Sequence, residues 1–370
     1  MRALTLVAAC LTLTWSPEVR GGPTSETPAP TKPALDLDDP ASCGACHAAI
    51  LAEYQTSLHA ASHHGSDPIY AAVRRLRLRK EGPTLASACA SCHTPRDVGE
   101  VDSARARTGV SCAACHHVER VERGERGHRA LVRPTGPRLA GPHDLEPGRS
   151  PAHETGKAPG FMTDGTTLCL ACHRDLESAT GVSICSTGIE HAPAEGSCVD
   201  CHMPMVSAAA GEDGRRRRRS HAFVGPRART GRPVLTPVRL DLRREGDALV
   251  VTLTNQSGHA WPTGFPGRVG RLTVTSPTNP PFTQSFGKRY VDAAGQPTLA
   301  PYARALAEDT RLRAGERRRL TLPWTADPVE ARLELLPVAP SLAESLGLEG
   351  PEVAPRPLAA AALGATRTGR

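Results

Sequence analysis

Cys43-Gly-Ala-Cys46-His47, Cys89-Ala-Ser-Cys92-His93, Cys112-Ala-Ala-Cys115-His116, Cys169-Leu-Ala-Cys172-His173 and Cys198-Val-Asp-Cys201-His202 repeat one pattern, Cys-x-x-Cys-His. Two thiols three positions apart reach two vinyl groups on one porphyrin edge and form thioethers. The His that follows then stands under the iron as an axial ligand. Cys-x-x-Cys alone also suits zinc, but zinc gives no reason for a His after every second Cys. His is 15 of 370 residues, so one such match by chance is roughly 4% and five together about one in ten million. The pattern therefore assigns these ten cysteines and five histidines to cofactor binding, with His47, His93, His116, His173 and His202 as proximal iron ligands. The cofactor it implies is haem c, five per chain.

A chain of 370 residues suits two domains. Aromatics are only 3% of it, poor for a conventional core, and five porphyrins supply the missing apolar planes. Of the 12 cysteines, Cys10 lies in an N-terminal apolar stretch and Cys185 is left over, so no disulfide framework exists beside the motifs. Cys185 reads as a buried small apolar residue, with haem ligand or intermolecular thiol as alternatives. The formal charge is +7. An oxidised haem with two neutral His ligands carries roughly −1 through its propionates, so five offset most of that excess. The basic composition thus argues for internal neutralisation and against nucleic acid as a partner.

Residues 1–22 read as a signal peptide: a basic start at Arg2, then an apolar run from 3 to 15 that is too short to span a membrane. No other stretch approaches a transmembrane span. Val7-Ala8-Ala9-Cys10 resembles a lipobox, which makes an outer-membrane lipoprotein the alternative to a periplasmic or otherwise extracytoplasmic location. Residues 23–42 read as a Pro-rich linker. After His47, apolar positions Ile50, Leu51, Tyr54 and Leu58 recur at helical spacing and predict one helix from His47 to about Ala61. Its length would set His59 about 18 Å along the axis from His47, so that His59 serves a neighbouring haem. VRRLRLRK at 73–80 predicts a basic helix, and 117–160, rich in Gly, Pro and Arg, predicts coil. Arg215 to Arg219 read as a solvated loop or as propionate partners, with docking to an acidic partner or a membrane surface as the alternative.

Tyr54, Ser57, His59 and Ala60 after the first motif, Gly109-Val110-Ser111 before the third, Met203-Pro204 after the fifth, and Ser220-His221-Ala222-Phe223 together resemble the multihaem cytochromes c related to the tetrahaem cytochrome of ammonia oxidisers. The resemblance covers residues 43 to about 225. It implies a multihaem electron carrier or a relative, with His59 and His221 as distal ligands. Tyr54 stands where the family often has Trp, and 117–160 does not match closely.

From about 236 the character changes. VRLDLRR, ALVVTLTN, GRLTVTS, RRRLTLPW and ARLELLP are alternating or β-branched segments punctuated by Gly and Pro. They predict an antiparallel β-sandwich. The fold class is therefore α+β: a mainly helical and coil pentahaem domain over 43–230, then a β-sandwich domain over 236–345 and a flexible C-terminal tail over 346–370. Asn255-Gln-Ser-Gly258-His259-Ala-Trp261-Pro262-Thr263-Gly264 falls in a loop of the sandwich. It resembles the Gly-His-x-x-Pro-Thr-Gly loop in C-terminal domains of some multihaem cytochromes, and could aim His259 at a haem.

Distal metal ligands must come from the remaining histidines, from Met or from water. The candidates are His59, His153, His191 and His221, with His259, His143 or His128 for the fifth iron. His63 and His64 are weaker, and His117, beside a proximal ligand, reads as structural or solvent-facing. Met162, Met203 and Met205 read as packing against porphyrin. Two functions compete. If every iron has six ligands, the protein carries electrons. If one is open, it acts on a small nitrogen or sulfur compound. The histidine supply, and the absence of a Cys-x-x-Cys-Lys site like that of the pentahaem nitrite reductases, favour the carrier, with no catalytic residue assigned. Its expected partners are redox proteins: other cytochromes, or a quinol-oxidising membrane complex.

Overall fold

The computed structural model describes residues 35–364, other than 125–126, 133–135, 137, 193–195, 208–216, 226, 228–234, 278 and 324–327; for 87, 123–124 and 127–132 it describes the backbone alone. The expected signal peptide, Cys10, most of the linker, Arg215, Arg216 and the boundary near 230 lie outside the described residues.

The protein is a mixed α+β chain. Its first half is made of short helices: α1 (Pro40–Gly44), α2 (Ala48–Gln55), α3 (Pro68–Glu81), α4 (Leu85–His93), α5 (Ala104–Arg107) and α6 (Cys112–His116). A hairpin of β1 (Val118–Gly124) and β2 (Gly127–Val132) follows, then α7 (Gly160–Thr163), a pair β3 (Leu176–Glu177) and β4 (Ser183–Cys185), α8 (Thr187–Glu190), α9 (Cys198–His202), and a pair β5 (Met205–Ser207) and β6 (Arg217–Arg219). Local signals set the longest helix. Asp67 caps α3 by accepting from the amides of Ile69 and Tyr70, and Pro68 opens its first turn. Gly82, at φ 87°, ends it in a conformation that side chains resist. Arg79 and Lys80 lie in its last turn, where they complement the helix dipole.

Three expectations change here. The helix after His47 stops at Gln55, and 56–61 are turns: Thr56 Oγ1 donates to the Glu53 carbonyl and Ser57 Oγ accepts from Ala60 N, so side chains compete with the helical ladder. The stretch 117–160 is not all coil, since β1 and β2 pair antiparallel. The end of the linker is fixed by ion pairs from Asp38 to Arg96 and Arg105, at 2.8 and 2.9 Å.

The second half is antiparallel sheet. β7 (Val238–Glu245), β8 (Ala248–Asn255) and β13 (Arg317–Pro323) form one sheet in the order β13-β8-β7. β9 (Val269–Thr275), β10 (Phe282–Phe286), β14 (Val329–Leu336) and β15 (Arg356–Leu363) form another in the order β10-β9-β14-β15. β11 (Lys288–Val291) pairs with β12 (Ala305–Asp309), and α10 (Pro340–Leu346) precedes β15. Alternation buries one face of β9 and β14. Val238, Val251 and Leu253 from the first sheet meet Leu272, Val274, Val329 and Leu333 from the second in one apolar core. A Cβ at Gly270 would overlap the Trp261 ring, so the glycine lets that ring lie against β9.

The segment after 345 is not a free tail. β15 pairs along β14 and buries Leu358, so small residues that look unstructured alone complete the sheet. The halves interlock near α8. Glu190 accepts from Thr263 Oγ1 at 2.6 Å and from Arg311 Nη1 at 2.7 Å, and Ala192 N donates to the Gly258 carbonyl at 2.8 Å.

Candidate haem sites

Each motif adopts a helical or 3₁₀ turn. His47 N donates to the Cys43 carbonyl and His173 N to the Cys169 carbonyl, both at 2.9 Å. One turn sets the paired thiols on a common face and brings the His back beneath it.

All fifteen motif residues line a single cavity of about 2550 Å³. A site for one small ligand occupies roughly 300–1,000 Å³, so this space is of a different class. His59, His153, His191, His221, His259 and His143 line it too, as do Met162, Met203, Met205 and Cys185. His63 and His117 spend their ring nitrogens on protein. His63 Nε2 bonds the Val101 carbonyl at 2.8 Å and its Nδ1 accepts from Gly65 N at 2.9 Å. His117 faces the Gly136 carbonyl at 3.0 Å and Arg96 at 3.2 Å, and is buried, so it is structural and not solvent-facing. His64 bonds Asp102 at 3.0 Å. The side chain of His128 lies outside the described residues.

An imidazole nitrogen sits about 2 Å from a metal, and a five-membered ring with bonds of about 1.35 Å has its centroid roughly 1.15 Å further back. Two imidazoles on opposite faces of one iron thus place their centroids about 6.3 Å apart. Among the described residues three pairs in the cavity have this spacing: His59 and His173 at 6.2 Å, His116 and His221 at 6.3 Å, and His202 and His259 at 6.3 Å. Each joins one motif His to one non-motif His. The donor set has the chemistry of iron ligands. Nδ1 bonds a backbone carbonyl in His93 (Ser62, 3.0 Å), His116 (Ala140, 2.7 Å), His202 (Val224, 2.7 Å), His221 (Arg219, 3.1 Å) and His259 (Ala260, 2.9 Å). The other nitrogen is left for metal, and the carbonyl fixes tautomer and ring orientation. Burial pushes His59 down to about 3 and His173 and His221 down to about 4, so these rings are neutral, as ligation requires. His59 Nδ1 is buried without a hydrogen-bond partner. These residues fit covalently bound haem.

The supports come from distant sequence. Glu53 on α2 accepts from Arg218 at 2.7 and 3.0 Å and from His221 N at 2.8 Å, which anchors β6 and His221. Phe223, at φ 45°, packs edge-on against His59 at 4.3 Å. A positive φ at a bulky residue is uncommon, and here it wedges the ring beside a cavity histidine. Asn255 holds the His259 loop. Its Nδ2 donates to the carbonyls of His259, Leu312 and Arg313 at 2.9, 3.2 and 2.8 Å, and its Oδ1 accepts from Ser257.

Not every candidate meets a motif His. His191 turns over its own loop, with Nε2 on the Gly196 carbonyl at 3.0 Å. Among the described residues, neither it nor His153 faces a motif imidazole at the 6.3 Å spacing. The Tyr70 ring stacks on His93 at 3.7 Å. Sequence reasoning does not single out Glu53 or Tyr70, and it takes Phe223 only as part of the resemblance over 220–223, because their roles depend on contacts across the fold. The motif thiols act on one another across motifs: Cys43 with Cys112, Cys92 with Cys172, and Cys169 with Cys198. Cys115 acts electrostatically on Cys169 and Cys172.

Residues 42–117 match the family described as Cytochrome c554 and c-prime. A solved structure, that of a penta-heme cytochrome c552 from Thermochromatium tepidum, is similar over 87% of this chain and 97% of its own, with a TM-score of 0.68 and 24% identity. No curated protein matches. The family match takes in the first three Cys-x-x-Cys-His motifs, and the solved structure shares the fold of the chain. No helix among the described residues is long and apolar enough to cross a membrane.

Proposed function

We propose that this chain is an exported multihaem cytochrome that passes electrons through five covalently bound haems, most of them held between two histidines. The observation that carries the reading is the set of three facing imidazole pairs at 6.2 to 6.3 Å inside the cavity that takes all five motifs. His59, His221 and His259 are the distal ligands opposite His173, His116 and His202. His153, which lines the same cavity, is the candidate kept for the iron of His47. When bound, the haems supply one-electron chemistry. The chain's part is to attach them, fix their axial ligands and hold their edges together. Adjacent thiols order the haems by motif as first, third, fourth and fifth, with the second joined at the fourth.

The neighbour's description as penta-heme favours the same count here. The relation to the tetrahaem cytochrome of ammonia oxidisers and the Gly-His-x-x-Pro-Thr-Gly loop belong to the same proposal. So do a signal peptide over 1–22, a periplasmic location, and other cytochromes or a quinol-oxidising membrane complex as partners. The haem domain over 43–230 is followed by a β-sandwich domain that opens at 236 and runs on through β15.

The second reading is an oxidoreductase acting on a small nitrogen or sulfur compound, and one observation favours it. At the second motif Tyr70 stacks flat against the face of His93, beside the imidazole and not across an iron, and nearby His63 has both nitrogens engaged, so neither supplies a sixth ligand there. Cyanide and nitrite decide between the two. The carrier gives no spectral shift with either and no turnover of nitrite or hydroxylamine. Binding at one haem with repeated turnover gives the enzyme.

A further inference from the structure

Arg268 lies one residue before β9, at the end of the loop that carries His259, and it lines the haem cavity. Lys288 and Arg311 stand with it around the Pro262–Pro266 turn. The other cations there have counter-charges. Arg311 donates to Glu190 Oε1 and to Asp309 Oδ2, both at 2.7 Å. Lys288 Nζ lies 3.8 Å from Glu190 and donates to Ser186 Oγ at 2.6 Å. Arg227 is paired with Asp67 at 2.5 Å, and the two opposite charges act together on Arg268 without a contact to it. Arg268 donates Nη1 to the Thr263 carbonyl at 2.8 Å, and among the described residues it has no carboxylate partner. Burial lowers its guanidinium to about 10, which leaves it charged at neutral pH. Arg268 is half-buried where it lines the cavity; a porphyrin filling that space would desolvate it, and a desolvated cation without a counter-charge is costly, so the fold implies an anion on its cavity side. On that side its field acts on His173 and on the Cys185 thiol.

We propose that Arg268 is the counter-cation of a propionate on the haem carried by Cys169, Cys172 and His173. The sheet half of the chain thereby clamps a haem of the helical half. The proposal rests on the haem reading above. A guanidinium suits it because its planar fork meets a carboxylate through two parallel hydrogen bonds. A positive charge held against the propionate disfavours further positive charge on the ferric iron, and so raises that haem's potential.

The same chemistry could be met by a small carboxylate from solution, and the test separates the two. Holoprotein, Arg268→Gln and Arg268→Lys are counted for haem by intact mass, then titrated spectroelectrochemically with and without added acetate. With five haems retained, Arg268→Gln is expected to weaken the reduction equilibrium of one haem about tenfold, about 59 mV for one electron. Arg268→Lys should shift the same haem by less, and acetate should change nothing in the unaltered protein. Should the glutamine variant load fewer haems, the shift in Arg268→Lys carries the test. Unchanged potentials in the five-haem variants overturn the proposal. So does an acetate-dependent potential in the unaltered protein that is lost in Arg268→Gln, which would mark a solution-anion site. An unaltered protein with fewer than five haems overturns the underlying reading instead.

Discussion

Replacing His259 with alanine is expected to convert one haem of five from low-spin to high-spin. The His259 ring faces His202 at 6.3 Å, and its Nδ1 is committed to the Ala260 carbonyl at 2.9 Å. Removing the ring takes one strong-field ligand from the fifth iron and leaves an imidazole-sized space beside it. Spin-quantified electron paramagnetic resonance of the oxidised protein should lose the low-spin intensity of one haem and gain an equal high-spin signal. Added imidazole should reverse the change. Asn255→Ala offers a graded companion, because it removes three donor bonds to carbonyls around the loop without touching the ligand. A buried acceptor left unpaired costs about 1–3 kcal/mol, and neighbouring losses do not add, so about 3 kcal/mol is expected. That variant should melt earlier and show a broadened signal from the fifth haem, with no full spin conversion. His191→Ala should leave all five signals unchanged. Five unaltered low-spin signals in His259→Ala would refute the assignment, and a high-spin signal in His191→Ala would move the role to His191.

Other outcomes follow from the same geometry. Asp67 and Arg227 are 8% and 10% exposed, and breaking such a pair by Arg227→Met should cost about 3–5 kcal/mol in a thermal or denaturant melt. Hydrogen bonds from Arg227 hold the Asp67 carboxyl below its ordinary range despite burial. A depressed carboxyl adds stability above its unfolded value, and that stability is lost as pH falls. Melts should therefore weaken below about pH 4, and Asp67→Asn should flatten that dependence. Glu53→Gln weakens charge-assisted bonds to Arg218 and His221, worth about 1.5–3 kcal/mol, and should perturb the third haem's signal and no other. A fragment over 236–345, which lacks β15 and Leu358, should be less ordered by circular dichroism than one over 236–370; equal order would show that β15 is dispensable.

The haem half was legible where chemistry fixes residue spacing. Cys-x-x-Cys-His states its own geometry, because a vinyl pair and an axial nitrogen permit no other order. The strand segments read from the sequence are β7, β8, β9, β13 and β14; burial alternates in β9 and β14, where one face meets the core. β15 was missed because its core, Leu358 to Leu363, is mostly alanine, with weak strand preference of its own. It is a strand because β14 offers it an edge, paired from Val329 with Leu363 to Leu335 with Arg356. The helix after His47 was overextended, since Leu58 kept the apolar period past the point where Thr56 and Ser57 unwind the backbone. His59 was placed near a second haem from that helix length. The facing ring is that of His173, a partner 114 positions away that spacing along the chain cannot supply. The sequence favours His191 for its nearness to the fifth motif; it lines the cavity, and the ring that faces His202 is that of His259. Arg268 looks like any strand-flanking arginine until the charges around it are paired off.

The most direct test of the account is the intact mass of the mature, exported protein after denaturation, which retains only what is covalently bound. Five thioether-linked haems per chain are predicted, with mass localising each to one Cys-x-x-Cys-His peptide. A chain with fewer haems, or one whose motif thiols are free or hold zinc, would contradict it.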